Sequence, residues 1–183
     1  VFQADGDASH AVEVRMAKAK ARFRKLHEVW HSTILPLKVK IMLYQHAVVS
    51  ILLHGNEAWA LNPSLQAKLN GWNSRCVATI TGRSIREEAG RSQTFDLVST
   101  LRERRLRWVG HVLRMGDTKF VKQALRAEFN KLRSGELHQG SVLMDVPRCG
   151  SFAELVALAG AHGDHPEWNT LVWELRERVS RVG

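Results

Sequence analysis

The stretch LRERRLRWVGHVLRM (Leu101–Met115) sets Leu101, Trp108, Val112 and Met115 on one helical face, at steps of seven, four and three. Arg102, Arg104, Arg105 and Arg107 cover much of the remaining circumference. Four guanidinium groups within six residues repel one another unless an anion neutralises them. The helix has Thr94 as a candidate cap and Gly116 as its stop. Trp108 offers a face on which a base could stack, but its spacing assigns it to the core.

The same helical rhythm continues upstream. Asn62-Pro63 opens a helix that carries Leu65, Leu69, Trp72, Cys76 and Ile80 inward and stops at Gly82. Another helix runs from Pro36 to Gly55. Residues 8–33 read as a single helix, with Val12, Met16, Ala19, Phe23, Leu26 and Trp30 in one stripe. Arg15, Lys18, Arg22 and Lys25 repeat that rhythm one residue earlier, a cationic ridge beside the apolar seam. Residues 83–93 show no periodicity and read as a loop.

Downstream, Asp117 caps a helix reaching Arg133. Residues 134–150 hold three glycines and Pro147 and read as a linker, with at most a short strand over Ser141–Val146. Ser151 and Glu154 form a capping box for a short helix. A last helix starts at Pro166, with Trp168, Leu171, Val172, Leu175 and Val179 on one face. The expected fold is all-α: a multi-helix basic domain over residues 1–133, the linker, and a smaller helical lobe over 151–183.

Composition narrows the function. The 183 residues are 44% hydrophobic and 25% charged, which excludes a disordered or low-complexity chain. Lys and Arg number 27 against 18 acidic residues, a formal charge of +9 that favours a polyanionic partner. Eighteen of the cations are Arg, whose planar fork suits phosphate. The excess is concentrated: residues 13–40 hold eight basic against two acidic side chains, and residues 100–133 ten against three. Residues 134–183 reverse the sign, with four basic and seven acidic side chains, and are expected to meet protein. Ala47–Leu53, interrupted by Ser50, is too short to span a bilayer, so no membrane span is expected. Cys76 and Cys149 cannot make a disulfide framework, which points to an intracellular, reducing compartment such as the mitochondrion or nucleus. A start at Val1 fits a fragment or a processed chain.

Catalytic signatures are sparse. His27-Glu-Val-Trp-His31 fits the H-E-x-x-H spacing of zinc hydrolases, in which two imidazoles one turn apart share a metal and the Glu activates its water. It lies in a strongly basic helix with no evident third ligand, and is read as accidental. His162, Asp164 and His165 cluster before Pro166, where capping accounts for Asp164. No phosphate-cradling glycine loop, nucleophile elbow or Asp-Asp pair occurs. Cys76 lies on an apolar face and reads as core. No catalytic residue, metal or cofactor is expected.

The Arg104–Met115 phrase resembles one found in reverse transcriptases of non-LTR (LINE-type) retrotransposons, downstream of the polymerase palm. Other phrases follow in the family's order. Phe2–Asp7 (FQADGD) is similar to the segment after the palm, and Ala17–Leu26 to the basic helix that follows it. Leu43-Tyr44 and ILLHGNEAW (Ile51–Trp59) resemble "LY…ILLYGxExW", with His54 where Tyr is usual. Leu69–Gly82 is similar to "L..fn.RClrrItG", with Ala78-Thr79 in place of basic residues. Gly140–Pro147 and the Trp-rich end are similar to the tail of some members.

The resemblance implies the thumb and the region beyond it, helices that grip template RNA and the primer duplex, without the palm or its metal-binding aspartates. It therefore implies a non-catalytic RNA-binding module, either a retrotransposon fragment or a recruited structural subunit of a ribonucleoprotein such as an organellar ribosome. Two alternatives stand beside it: the thumb part of an active reverse transcriptase, and a helical scaffold in a protein assembly. The expected RNA contacts are Arg15, Lys18, Arg22, Lys25, Arg102, Arg104, Arg105 and Arg107, with Lys38 and Lys40 at the edge.

Overall fold

The computed structural model describes residues 9–56, 59, 62–84, 96–136, 141–160 and 166–181, the side chains of 9 and 175–181 excepted. Among these residues the fold is all-α, with no strand. Thr94, the FQADGD segment and the His162–His165 cluster lie outside the described residues. The chain forms two compact units: Val1–Asn56, Pro63–Val98 and Ser180–Gly183, then Glu57–Asn62 and Ser99–Val179.

In the first unit, α1 (Ser9–Lys25) and α2 (His27–His31) replace the single helix expected over 8–33. The chain leaves helical geometry at Leu26 (φ −102°, ψ 20°). The Phe23 carbonyl there accepts the Leu26 N–H at 3.2 Å and the Trp30 indole N–H at 2.8 Å. A side chain inserted into the backbone ladder breaks a helix. Here the break seats Trp30, which is 2% exposed and stacked on Phe23 with ring centroids 5.1 Å apart.

Helix α3 runs from Leu37–Tyr44 through a π-turn at Gln45–Val49 into Ser50–Leu52, with Pro36 just ahead of it. Helix α4 (Pro63–Thr81) buries Leu69, Trp72, Cys76 and Ile80 on the expected face, and also Asn73, Val77 and Ala78. Gly82 closes it at φ +70°, a left-handed conformation that glycine adopts without strain. Tyr44 is buried edge-on to Phe23 and Trp30, and its hydroxyl donates to Asn73 Oδ1 at 3.0 Å.

The second unit holds most of α5 (Leu97–Arg114), with α6 (Phe120–Ser134), a 3₁₀ turn (Val142–Asp145), α7 (Phe152–Ala159) and α8 (Pro166–Arg181). Asp96 caps α5, its carboxylate accepting the Val98 N–H at 3.0 Å. Asp117 does not cap α6. Its carboxylate takes the Lys122 ammonium at 2.9 Å, and that ammonium also donates to the Met115 carbonyl at the end of α5. The exposed Asp117 carboxyl is held below its ordinary range by that hydrogen bond and charge.

The stretch read as a linker is packed structure. Val142, Leu143, Phe152, Leu155 and Ala159 share one core with Leu106, Val109, Val112, Leu113, Leu125, Phe129, Trp168 and Val172. The chain therefore divides near Val98 rather than at 134–150. A 3₁₀ turn stands where a strand was the most expected, because Ser141 Oγ accepts the Leu143 N–H and coils the backbone. The capping box forms as read: Ser151 Oγ accepts the Glu154 N–H at 3.1 Å, and the Glu154 carboxylate accepts the Gly150 N–H at 2.7 Å.

Candidate nucleic-acid interface

On α1 the seam and the ridge separate as their spacing requires. Val12, Met16 and Ala19 are at most 4% exposed. Lys18, Arg22 and Lys25 stand in solvent one step around the helix, with Arg15 half-buried among them. Among the described residues no carboxylate lies within ion-pair distance of these four cations. Within the described residues they present positive charge without a carboxylate partner, the arrangement that releases condensed counterions when it meets phosphate. Lys38 is exposed near the start of α3. Lys40 has an internal task, because its half-buried ammonium donates to the Trp30 carbonyl at 2.9 Å and ties α3 to α2.

The four arginines of α5 do not form one surface. Arg105 is 1% exposed and its guanidinium lies 3.2 Å from Asp145 Oδ2. It is a core ion pair and cannot touch a phosphate, which corrects its assignment as an RNA contact. Arg102 leans on the same carboxylate, its Nε 3.5 Å from Oδ1. Burial pushes the Asp145 carboxyl up and the Arg105 guanidinium down, and each charge pulls the other back. Arg107 is exposed but binds Glu103 one turn earlier through Nε at 3.1 Å and Nη2 at 3.0 Å. Arg104 is half-buried, with no carboxylate at ion-pair distance among the described residues. The anion that stabilises this cluster is therefore largely the protein's own.

Sequence periodicity missed a second cationic group in the first unit. Lys20 and Arg24, four residues apart on α1, and Arg75 on α4 line a cavity of about 400 Å³ with Phe23, Trp72 and Cys76. Lys20 and Arg24 lie on the opposite flank of the α1 seam from the ridge at Arg22. The signal was present as a second i, i+4 pair, but Arg75 joins it only through the packing of the unit.

The His27 and His31 rings lie 4.3 Å apart between centroids and tilted at 42°, with Glu28 3.7 Å from His27. No group of three or more His, Cys, Asp or Glu that could hold a metal occurs among the described residues. Burial pushes the Cys76 thiol up to about 12, so it is not a thiolate nucleophile at neutral pH. No helix among the described residues is long and apolar enough to cross a membrane.

No protein-family model matches the chain, and no solved structure matches it. A putative uncharacterized transposon-derived protein of Caenorhabditis elegans is 24% identical over 94 residues, which is 46% of this chain. The match covers 34% of that relative, so the chain spans about a third of its length. The likeness is thus partial and distant, and what the chain is similar to is a transposon-derived protein.

Proposed function

We propose that the chain is a non-catalytic RNA-binding module, derived from the thumb of a non-LTR reverse transcriptase and acting as a structural subunit of a ribonucleoprotein such as an organellar ribosome. The observation that carries it is the α1 ridge, whose Arg15, Lys18, Arg22 and Lys25 have no carboxylate in ion-pair reach among the described residues. Lys38 and the half-buried Arg104 extend the contact set, while Arg102 and Arg107 contribute less because each already holds a carboxylate. Similarity to a transposon-derived protein agrees with the retrotransposon phrases in the sequence. The absence of an Asp-Asp pair with which to hold polymerase metals supports binding without polymerisation. The acidic region 134–183 meets protein partners.

The test is binding to a labelled RNA across a salt series, with the Lys18→Glu, Arg22→Glu, Lys25→Glu triple variant beside the parent. Parent affinity is expected to fall tenfold or more between about 50 and 200 mM salt, and the variant to bind weakly throughout. Salt-independent association with protein alone would select the scaffold reading. The greater length of the worm relative favours one other reading, in which this chain is the thumb part of a longer, active reverse transcriptase. A native polypeptide much longer than 183 residues, with metal-dependent primer extension, would establish that reading.

A further inference from the structure

The cavity lined by Lys20, Arg24 and Arg75 lies within the first unit, between one stripe of α1 and one of α4. Its volume of about 400 Å³ falls in the range of small-ligand sites. Its floor is apolar: Phe23 is half-buried, and Trp72 and Cys76 are each 4% exposed. Trp30 stacks on the Phe23 ring, and Phe23 and Trp72 both line the cavity. The three cations stand in solvent, and no acidic residue lines the cavity. Lys20 and Arg75 both draw the Cys76 thiol down against the larger effect of burial, so their charges converge on the same floor.

A ligand fitted to this arrangement is flat and apolar at one end and multiply anionic at the other. A double helix does not match, because its bases are stacked inside and it offers only phosphate. A nucleotide splayed from a single strand matches both halves, with its base against the aromatic floor and its own and the next phosphate on the cations.

We propose that this cleft binds one unstacked nucleotide of single-stranded RNA, its base against Phe23 and Trp72 and its phosphates on Lys20, Arg24 and Arg75. The site rests on the RNA-binding reading and refines it: the α1 ridge takes backbone charge of any strand, and the cleft distinguishes single strands from duplexes.

The experiment compares a labelled single strand of about ten nucleotides with a duplex of the same sequence and with adenosine monophosphate. The full chain is tested beside the Lys20→Glu, Arg24→Glu variant and the ridge variant Lys18→Glu, Arg22→Glu. The cleft variant is expected to lose single-strand affinity about tenfold or more and duplex affinity less than about threefold, while the ridge variant loses both. In the unaltered chain, a strand carrying 4-thiouridine should photo-crosslink at Phe23, Trp72 or Cys76, a readout that needs no variant to fold. Equal losses for strand and duplex, or crosslinks confined to the ridge at Lys18, Arg22 and Lys25, would overturn the cleft while leaving the ridge in place. Tight binding of the mononucleotide alone would overturn it in favour of a free-nucleotide site. Absence of RNA binding by the parent chain would overturn the underlying reading as well.

Discussion

At Arg105 the chain places a guanidinium where 1% of its surface meets water, and the Asp145 carboxylate, forty residues on, lies 3.2 Å from it. Removing one partner of such a pair leaves the other charge buried without its nearest counterion. Arg105→Ala is expected to cost about 3–5 kcal/mol in urea unfolding, whereas Arg105→Met combined with Asp145→Leu recovers most of that loss. RNA affinity in the folded double variant should not fall below that of the parent, since neither side chain faces a ligand and Arg102 is released from its carboxylate. Cys76 gives a second residue-scale expectation. Burial pushes its folded thiol up to about 12 from an ordinary 9.0, so its contribution to stability is full below about pH 9 and is lost as pH rises towards 12. Stability against thermal unfolding should fall above about pH 9, by up to about 1.4 kcal/mol per pH unit from this group, and less steeply in Cys76→Ala. Burial moves the neighbouring Tyr44 hydroxyl in the same direction.

Helices α5 and α8 meet at Gly110. A Cβ there would lie 2.3 Å from the Trp168 indole nitrogen, whose N–H donates to the Leu106 carbonyl at 3.2 Å. Glycine inside a helix is unfavourable by roughly 0.5–1 kcal/mol relative to alanine. Gly110→Ala is nonetheless expected to destabilise, by about 1–3 kcal/mol, because overpacking against a fixed indole outweighs helix propensity. A fall of several degrees in the melting temperature would check it. Pro36, Pro63, Ser151 and Pro166 marked helix starts legibly, since a cap or a first turn is decided within four residues. The break at Leu26 was not legible, because it depends on where the Trp30 indole finds its acceptor. Nor did periodicity show that Leu106, Val109 and Leu113 are core beside Leu101 and Val112, since four arginines among them resemble a solvated face.

Over the whole molecule, the net charge of +9 was readable but its availability was not. The α1 ridge was legible because apolar and basic residues alternate with the helical period. The α5 cluster was not, because Asp145 lies in a stretch whose glycines look like a linker. Phosphate contacts by Lys18, Arg22 and Lys25 set a slope: log affinity for a single strand falls by about 0.7 per contact for each decade of salt. The triple Glu variant should therefore flatten the slope by about two units in a salt titration. An unchanged slope would remove α1 from the interface. Arg105 and Asp145 also leave a trace in ancestry. Losing either one first costs stability that losing both together largely restores, so among descendants of a common sequence the two positions should drift as a couplet, charged together or apolar together.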